Sequence, residues 1–366
     1  VLFDPNTSNF GRIEPMDKKI AQMFIVALPY TTDEKELFET VEKYIDIGVG
    51  GLMLGLGGKL PFVETNNITD IKKLKALTDK LKSLDPNLFL AIDGEGGKIF
   101  NLFKNASVLK SQRYYGLEFE NSGNTKEYEK DLDEYIKLMR KVHINMNFAP
   151  ILGTAKEGYK GYLSEHDRAY SDKEETVKKL SGIAIKKMSE NGIIAVGKHF
   201  PGYGGIDENP HLHLSKLEAY DKNDPFGFAI GKLGINAIMK GHVLSSIDED
   251  MPATISEKVE KYLRKSLGFT GLVVTDAIFM HGLGHHYEKF GGDGNYTKRA
   301  VSVAKTNDII LMSYPKGANG EIDISAHEHF PRLHKAIVEE VMKGEIDKSK
   351  IDESYERIMK LKRVIM

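Results

Sequence analysis

The stretch from Gly197 to Leu214 reads GKHFPGYGGIDENPHLHL, with three histidines, one lysine, two carboxylates and four glycines in eighteen residues. Imidazoles exchange protons near neutrality and also bind metals. The stretch is therefore compatible with a metal site, a phosphate cradle or a sugar-handling loop. For a metal-dependent hydrolase the usable pairs are His211-x-His213, His285-His286 and His327-Glu328-His329. No aspartate or lysine completes a recognisable ligand set around them. A phosphate loop would need the GxxxxGK[ST] order, whereas the lysine here precedes the glycines. Polar residues also end other apolar runs: Asp93 before GEGGK, His242, and Thr275-Asp276.

These residues need a scaffold that brings them together. Short apolar runs occur at 22–28, 50–55, 88–93, 144–150, 193–200, 235–243, 271–277 and 308–314. Amphipathic stretches lie between them, such as TDEKELFETVEKYIDIG from Thr32 and SDKEETVKKLSGIAIKKMSENG from Ser171. Each opens on a hydroxyl residue suited to a helix N-cap and closes on a glycine suited to a stop. Eight β-then-α units predict an α/β fold, a closed (β/α)8 TIM-type barrel, rather than an open doubly wound sheet. With no linker or low-complexity run, one domain over residues 1–366 is expected. Such barrels carry their sites at the C-terminal ends of the strands. That is where Asp93, Lys198, His199, His242 and Asp276 fall, so the scattered polar residues should meet at one rim.

The bulk numbers narrow the partners. The 366 residues are 41% hydrophobic and 28% charged, enough for a full core and a polar surface. Lysine plus arginine total 51 against 53 acids, so no basic excess points to nucleic acid or anionic lipid. No apolar run is long enough for a membrane span. Cysteine is absent, which excludes disulfides and thiolate metal sites. The chain begins at Val1, so removal of an upstream segment is expected, which leaves a cytoplasmic or an exported location open. A small-molecule partner and no cofactor are the resulting expectations, with the oligomeric state open.

Six segments carry a family resemblance: IEPMDKKIAQMFIV, AIDGEGGK, NFAPIL, HDRAYSD, GKHFPGYGG and GFTGLVVTDAIFMHGL, in this order between about residues 14 and 285. Together they resemble glycoside hydrolase family 3, in its single-domain β-N-acetylglucosaminidase (β-N-acetylhexosaminidase) branch. The resemblance implies a barrel domain and a retaining glycosidase acting on β-linked N-acetylhexosamine, as in peptidoglycan- or chitin-derived sugars and cell wall recycling. It implies Asp276 as the nucleophile, since a carboxylate there can attack the anomeric carbon. It implies sugar contacts from Asp93, Arg168, Lys198 and His199. In this branch a histidine in the loop after strand five is the general acid/base, which by position is His211. An unperturbed pKa near 6.5 suits imidazole to both halves of that task.

Several positions depart from the family pattern. The acid/base histidine normally follows an aspartate by two positions, but here the triplet is Asn209-Pro210-His211. Asp207, Glu208 and His213 are alternative partners for the ring. The two arginines usual after the Asp-x-Glu-Gly-Gly motif are Lys98 and Asn101, a loss of bidentate donors. Tryptophan is absent, so any stacking on a sugar face falls to tyrosine or phenylalanine. A catalytically impaired sugar-binding homologue on the same barrel stays open beside the enzyme, and phosphate beside water as the acceptor.

Overall fold

The computed structural model describes residues 14–29, 31, 33–55, 71–97, 109–207, 209, 213–217, 224–289, 296–313 and 329–365. Eight strands form one parallel sheet: β1 (Phe24–Ala27), β2 (Gly51–Met53), β3 (Phe89–Ile92), β4 (Met146–Asn147), β5 (Ile194–Phe200), β6 (Ala237–Lys240), β7 (Leu272–Thr275) and β8 (Ile310–Met312). They pair in chain order, and β1 also pairs with β8. The ring closes through a parallel bridge between Val274 and Ile309, where Thr275 N–H donates to Ile309 O at 3.0 Å. The fold is a (β/α)8 barrel, and each strand lies within one of the eight apolar runs.

The strands are apolar throughout because both faces are covered. FIVA, FLAI and LVVT are buried at every position, with side chains filling the barrel on one side and meeting helices on the other. The outer helices carry the complementary stripe. Glu34–Ile47 buries Leu37, Phe38, Val41 and Tyr44, spaced for one helical face. Its N-cap is Asp33, which accepts from Lys35 and Glu36 N–H, while the expected cap, Thr32, lies outside the described residues. Ser171 does not cap the helix Glu174–Glu190: it sits two residues before the N-cap Lys173 and accepts that residue's N–H at 3.0 Å. The helix starts later than expected, with Glu174 and Glu175 in its first turn facing the positive end of the helix dipole. Gly48, with φ +106°, ends the earlier helix as its glycine suggested.

The two rims differ in chemistry. At the N-terminal rim Asp308, just before β8, is buried among Arg264 (2.6 Å), Arg357 (3.0 Å) and Lys350 (3.3 Å). Its carboxylate also accepts from Ser354 Oγ and Val273 N–H, both at 2.8 Å. Ser354 and Arg357 belong to the last helix, Lys348–Ile365, whose Lys362 donates to Gly50 O at 2.8 Å in front of β2. This rim is a structural floor. The opposite rim holds Asp93, Glu95, Lys198, His199, His242 and Asp276.

Candidate active site at the C-terminal rim

The site begins with an irregularity in β5. Lys198 pairs with Met239 and Phe200 with Lys240, so the register shifts around His199. In a regular strand neighbouring side chains face opposite sides. A register shift re-aims one of them, and here both Lys198 and His199 serve one pocket. Lys198 Nζ lies 2.6 Å from Asp93 Oδ1 and 2.7 Å from Glu95 Oε1, while His199 Nε2 lies 3.8 Å from Asp276 Oδ2.

Arg168 closes the charged cluster from the segment that precedes the helix Glu174–Glu190. It holds Glu95 in a fork, Nε to Oε2 at 2.9 Å and Nη2 to Oε1 at 2.8 Å, and Nη1 donates to Tyr162 OH at 3.0 Å. Burial alone would raise the Glu95 carboxyl, but Arg168 and Lys198 outweigh it and hold it down at about 2. Burial likewise opposes the charge on Lys198, and Asp93 with Glu95 reverses that, so its pKa moves upward. Burial pushes the Asp93 carboxyl up against the pull of Lys198. Of the two carboxylates around this ammonium, Glu95 holds its charge more firmly.

Exposure differs across the cluster. The Asp93 side chain is 20% exposed and that of Asp276 11%, against 2% for both Lys198 and Glu95. Arg168 and Lys198 each have N–H groups left after these bonds, two on the guanidinium and one on the ammonium. Glu95, with all its ion pairs made to Arg168 and Lys198, fixes the two cations.

Asp276 directly follows β7. Its Oδ1 accepts Ala277 N–H at 2.8 Å, and its own N–H donates to Lys240 O at 2.9 Å. His242, fully buried, spans from Thr254 Oγ1 (2.7 Å) to Ala277 O (2.9 Å) and braces the chain just beyond the aspartate. Burial holds its pKa below the usual histidine value, with the Asp276 charge opposing. His199 stacks on Tyr203, ring centroids 4.7 Å apart at 26°.

The loop after β5 is anchored at both ends. Tyr162 N–H donates to Ile206 O at 3.0 Å, and a Cβ on Gly204 would fall 2.1 Å from Thr154 O, so only glycine allows this approach. At the far end Ser215–Lys216 pairs in parallel with Val243–Leu244, a two-residue ladder too short to show in the sequence pattern. Between these anchors, Glu208 and Pro210–Leu212 lie outside the described residues, and His211 with them. The same holds for Lys98 and Asn101. Asp207 is exposed and paired with Lys156 at 2.8 Å. His327 and Glu328 are also outside the described residues, and the rings of His213 and His285 stand 6.1 Å apart. Among the described residues no three of His, Cys, Asp or Glu are placed to hold a metal.

The structure thus brings Asp93, Arg168, Lys198, His199 and Asp276 to one end of the barrel. Glu95, Tyr162 and Tyr203 join them without having been singled out. Glu95 was within reach, two residues after Asp93 in the same DGEGG run, and Tyr203 stands inside the GKHFPGYGG segment; nothing in the sequence marked Tyr162.

The structure is a parallel barrel whose C-terminal rim carries two carboxylates paired with two cations and, beyond them, a third carboxylate, Asp276; enzymes built on this barrel carry their sites at that rim. Comparison with known proteins is more specific. Residues 15–361 match the Glycosyl hydrolase family 3 N terminal domain. The chain belongs to glycosyl hydrolase family 3, a family of glycosidases, in agreement with its motifs. The chain is 28% identical over 284 residues to a protein of Thioalkalivibrio sulfidiphilus named Beta-hexosaminidase, covering 75% of this chain and 79% of that one. A Beta-hexosaminidase of Psychromonas ingrahamii is 30% identical over 259 residues, covering 68% and 73%. Among solved structures, a family 3 beta-N-acetylglucosaminidase from Paenibacillus sp. superposes with TM-score 0.78 at 26% identity, over 96% of this chain. This chain spans 63% of that larger protein. A Beta-N-acetylhexosaminidase from Beutenbergia cavernae shares the fold, with TM-score 0.76 at 21% identity over 96% and 99% of the two chains.

Proposed function

We propose that the chain, as a single domain, is a retaining glycosidase for β-linked N-acetylhexosamine, of the kind found in peptidoglycan- or chitin-derived sugars. Asp276 is the nucleophile and His211 the general acid/base. In the first step an Asp276 oxygen attacks the anomeric carbon while the glycosidic C–O bond breaks, and His211 gives its proton to the leaving oxygen. In the second step water attacks the same carbon, its proton passes to His211, and Asp276 leaves as carboxylate. Asp93 accepts from sugar hydroxyls, while Lys198, Arg168 and His199 donate to them.

One observation carries this reading. Asp276 is fixed through Oδ1 by Ala277 N–H at 2.8 Å, and its Oδ2 lies 3.8 Å from Nε2 of His199, the residue next to Lys198. The names of the relatives support the sugar class. Water is the favoured acceptor over phosphate, because Arg168 and Lys198 are already paired with Glu95 and Asp93 and the pocket carboxylates repel a second anion. A peptidoglycan-derived substrate would place the chain in cell wall recycling, and a chitin-derived one would not.

The test is covalent trapping. A slow fluorosugar of N-acetylglucosamine should add one label to the protein, located by peptide mass spectrometry on Asp276. Label on another carboxylate, or full activity in Asp276→Ala, overturns the assignment. Asn209 favours a second reading, an impaired sugar binder. Activated aryl glycosides, whose leaving group needs little protonation, separate the two: a binder turns none of them over.

A further inference from the structure

Tyr203 lies three residues beyond β5 and is 1% exposed. Its hydroxyl oxygen accepts His242 N–H at 3.1 Å. A backbone N–H only donates, so the phenol's own proton must point elsewhere. The acceptor in reach is Asp276 Oδ2, at 3.4 Å. The ring cannot swing away from it. One face stacks on His199, and Tyr162 meets it edge-on with centroids 6.2 Å apart. From the β6 side, a Cβ on Gly241 would come within 2.6 Å of the hydroxyl, so the missing side chain there makes room for it. The two oxygens of Asp276 are therefore served from opposite sources, Oδ1 by a backbone N–H and Oδ2 by a phenol. Burial and the nearby carboxylate push the Tyr203 pKa well above its usual value, which keeps it a neutral donor.

We propose that Tyr203 is a positioning residue that sets how Asp276 divides its work between attack and departure, an inference that rests on Asp276 being the nucleophile. A hydrogen bond donated to a carboxylate stabilises its ionised form. It slows attack on the sugar slightly and speeds release of the aspartate from the glycosyl-enzyme. No atom is transferred; the O–H stays with Tyr203 throughout.

The test uses the full chain and a dinitrophenyl N-acetyl-β-glucosaminide, a substrate whose fast first step makes breakdown of the intermediate rate-limiting. Tyr203→Phe keeps the ring and its stacking. Its kcat should fall about tenfold, the scale of one hydrogen bond to a charged group. KM should fall with it, leaving kcat/KM near wild type, and the covalent intermediate should accumulate in mass spectra. Replacing Tyr203 with a difluorotyrosine, which has a more acidic hydroxyl of nearly the same shape and so donates more strongly, should raise kcat instead, even if Tyr203→Phe folds poorly. If kcat and kcat/KM fall together in both variants with no build-up of the intermediate, Tyr203 only packs the loop and the inference is wrong. Fluorosugar label on a residue other than Asp276 removes both readings. Label on Asp276 with kcat and kcat/KM falling together removes this one alone.

Discussion

Arg168 grips Glu95 by two parallel hydrogen bonds of 2.9 and 2.8 Å, and the same carboxylate receives Lys198 at 2.7 Å. The carboxylate orients both cations from behind, leaving Asp93 and Asp276 to line the pocket. Glu95→Gln keeps the shape and removes the charge, so two buried cations lose their common partner. Breaking such a buried pair costs about 3–5 kcal/mol. Thermal melts should show that loss. At temperatures where the variant stays folded, KM should rise at least tenfold, because the proposed donors to the sugar are no longer held in place.

If His211 transfers the proton, His211→Ala should slow substrates with poor leaving groups by about two to four decades. Dinitrophenyl glycosides should lose far less, since their leaving group departs without protonation. A Brønsted plot of rate against leaving-group pKa measures this directly. A uniform loss across the series would assign His211 a positioning role in its loop.

Asp207 is paired with Lys156 at 2.8 Å on the surface, which weakens it as a partner for His211, the proposed acid/base. Asn209→Asp should therefore raise turnover on poor leaving groups by about one to three decades. A carboxylate beside imidazole favours its protonated form, so the limb of the rate profile that reports this histidine should shift to higher pH. Pairing the change with Pro210→Ser tests whether the ring of Pro210 holds the new side chain away. Unchanged rates and profiles in both variants would mean that another group already partners His211.

Acid stability should follow two buried carboxylates. Burial would raise Glu95 and Asp308, but Arg168 and Lys198 hold Glu95 at about 2, and Lys350, Arg264 and Arg357 hold Asp308 well below the carboxylate range. A depressed folded-state pKa contributes stability that is fully present above the unfolded value near 4, and that is lost as pH falls through the folded value. Melting temperature should therefore drop steeply below about pH 4. Asp308→Asn should melt lower than wild type at neutral pH and show a flatter acid decline. An equally steep decline in that variant would place the effect on other groups.

Much of this molecule was legible from local pattern. Eight apolar runs found the eight barrel strands, because strands covered on both faces of a parallel barrel must be apolar along their length. Chain order then gave the ring, and the barrel rule placed Asp93, Lys198, His199 and Asp276 at one rim. Gly48 ended its helix where its left-handed φ allowed. Helix starts were less legible: Asp33 and Lys173, not Thr32 and Ser171, hold the N-cap positions, since several neighbouring polar residues compete for one turn. Only the tertiary structure decided which groups would pair across the rim. The register shift at His199 turns adjacent side chains to one pocket, and it depends on how β5 meets β6. Glu95 became the anchor of Arg168, seventy-three residues away, and Tyr203 the neighbour of Asp276. Such contacts join residues distant in the chain, so no spacing or periodicity in the sequence encodes them. They exist because closing the barrel brings the loops after β3, β4, β5 and β7 to one end.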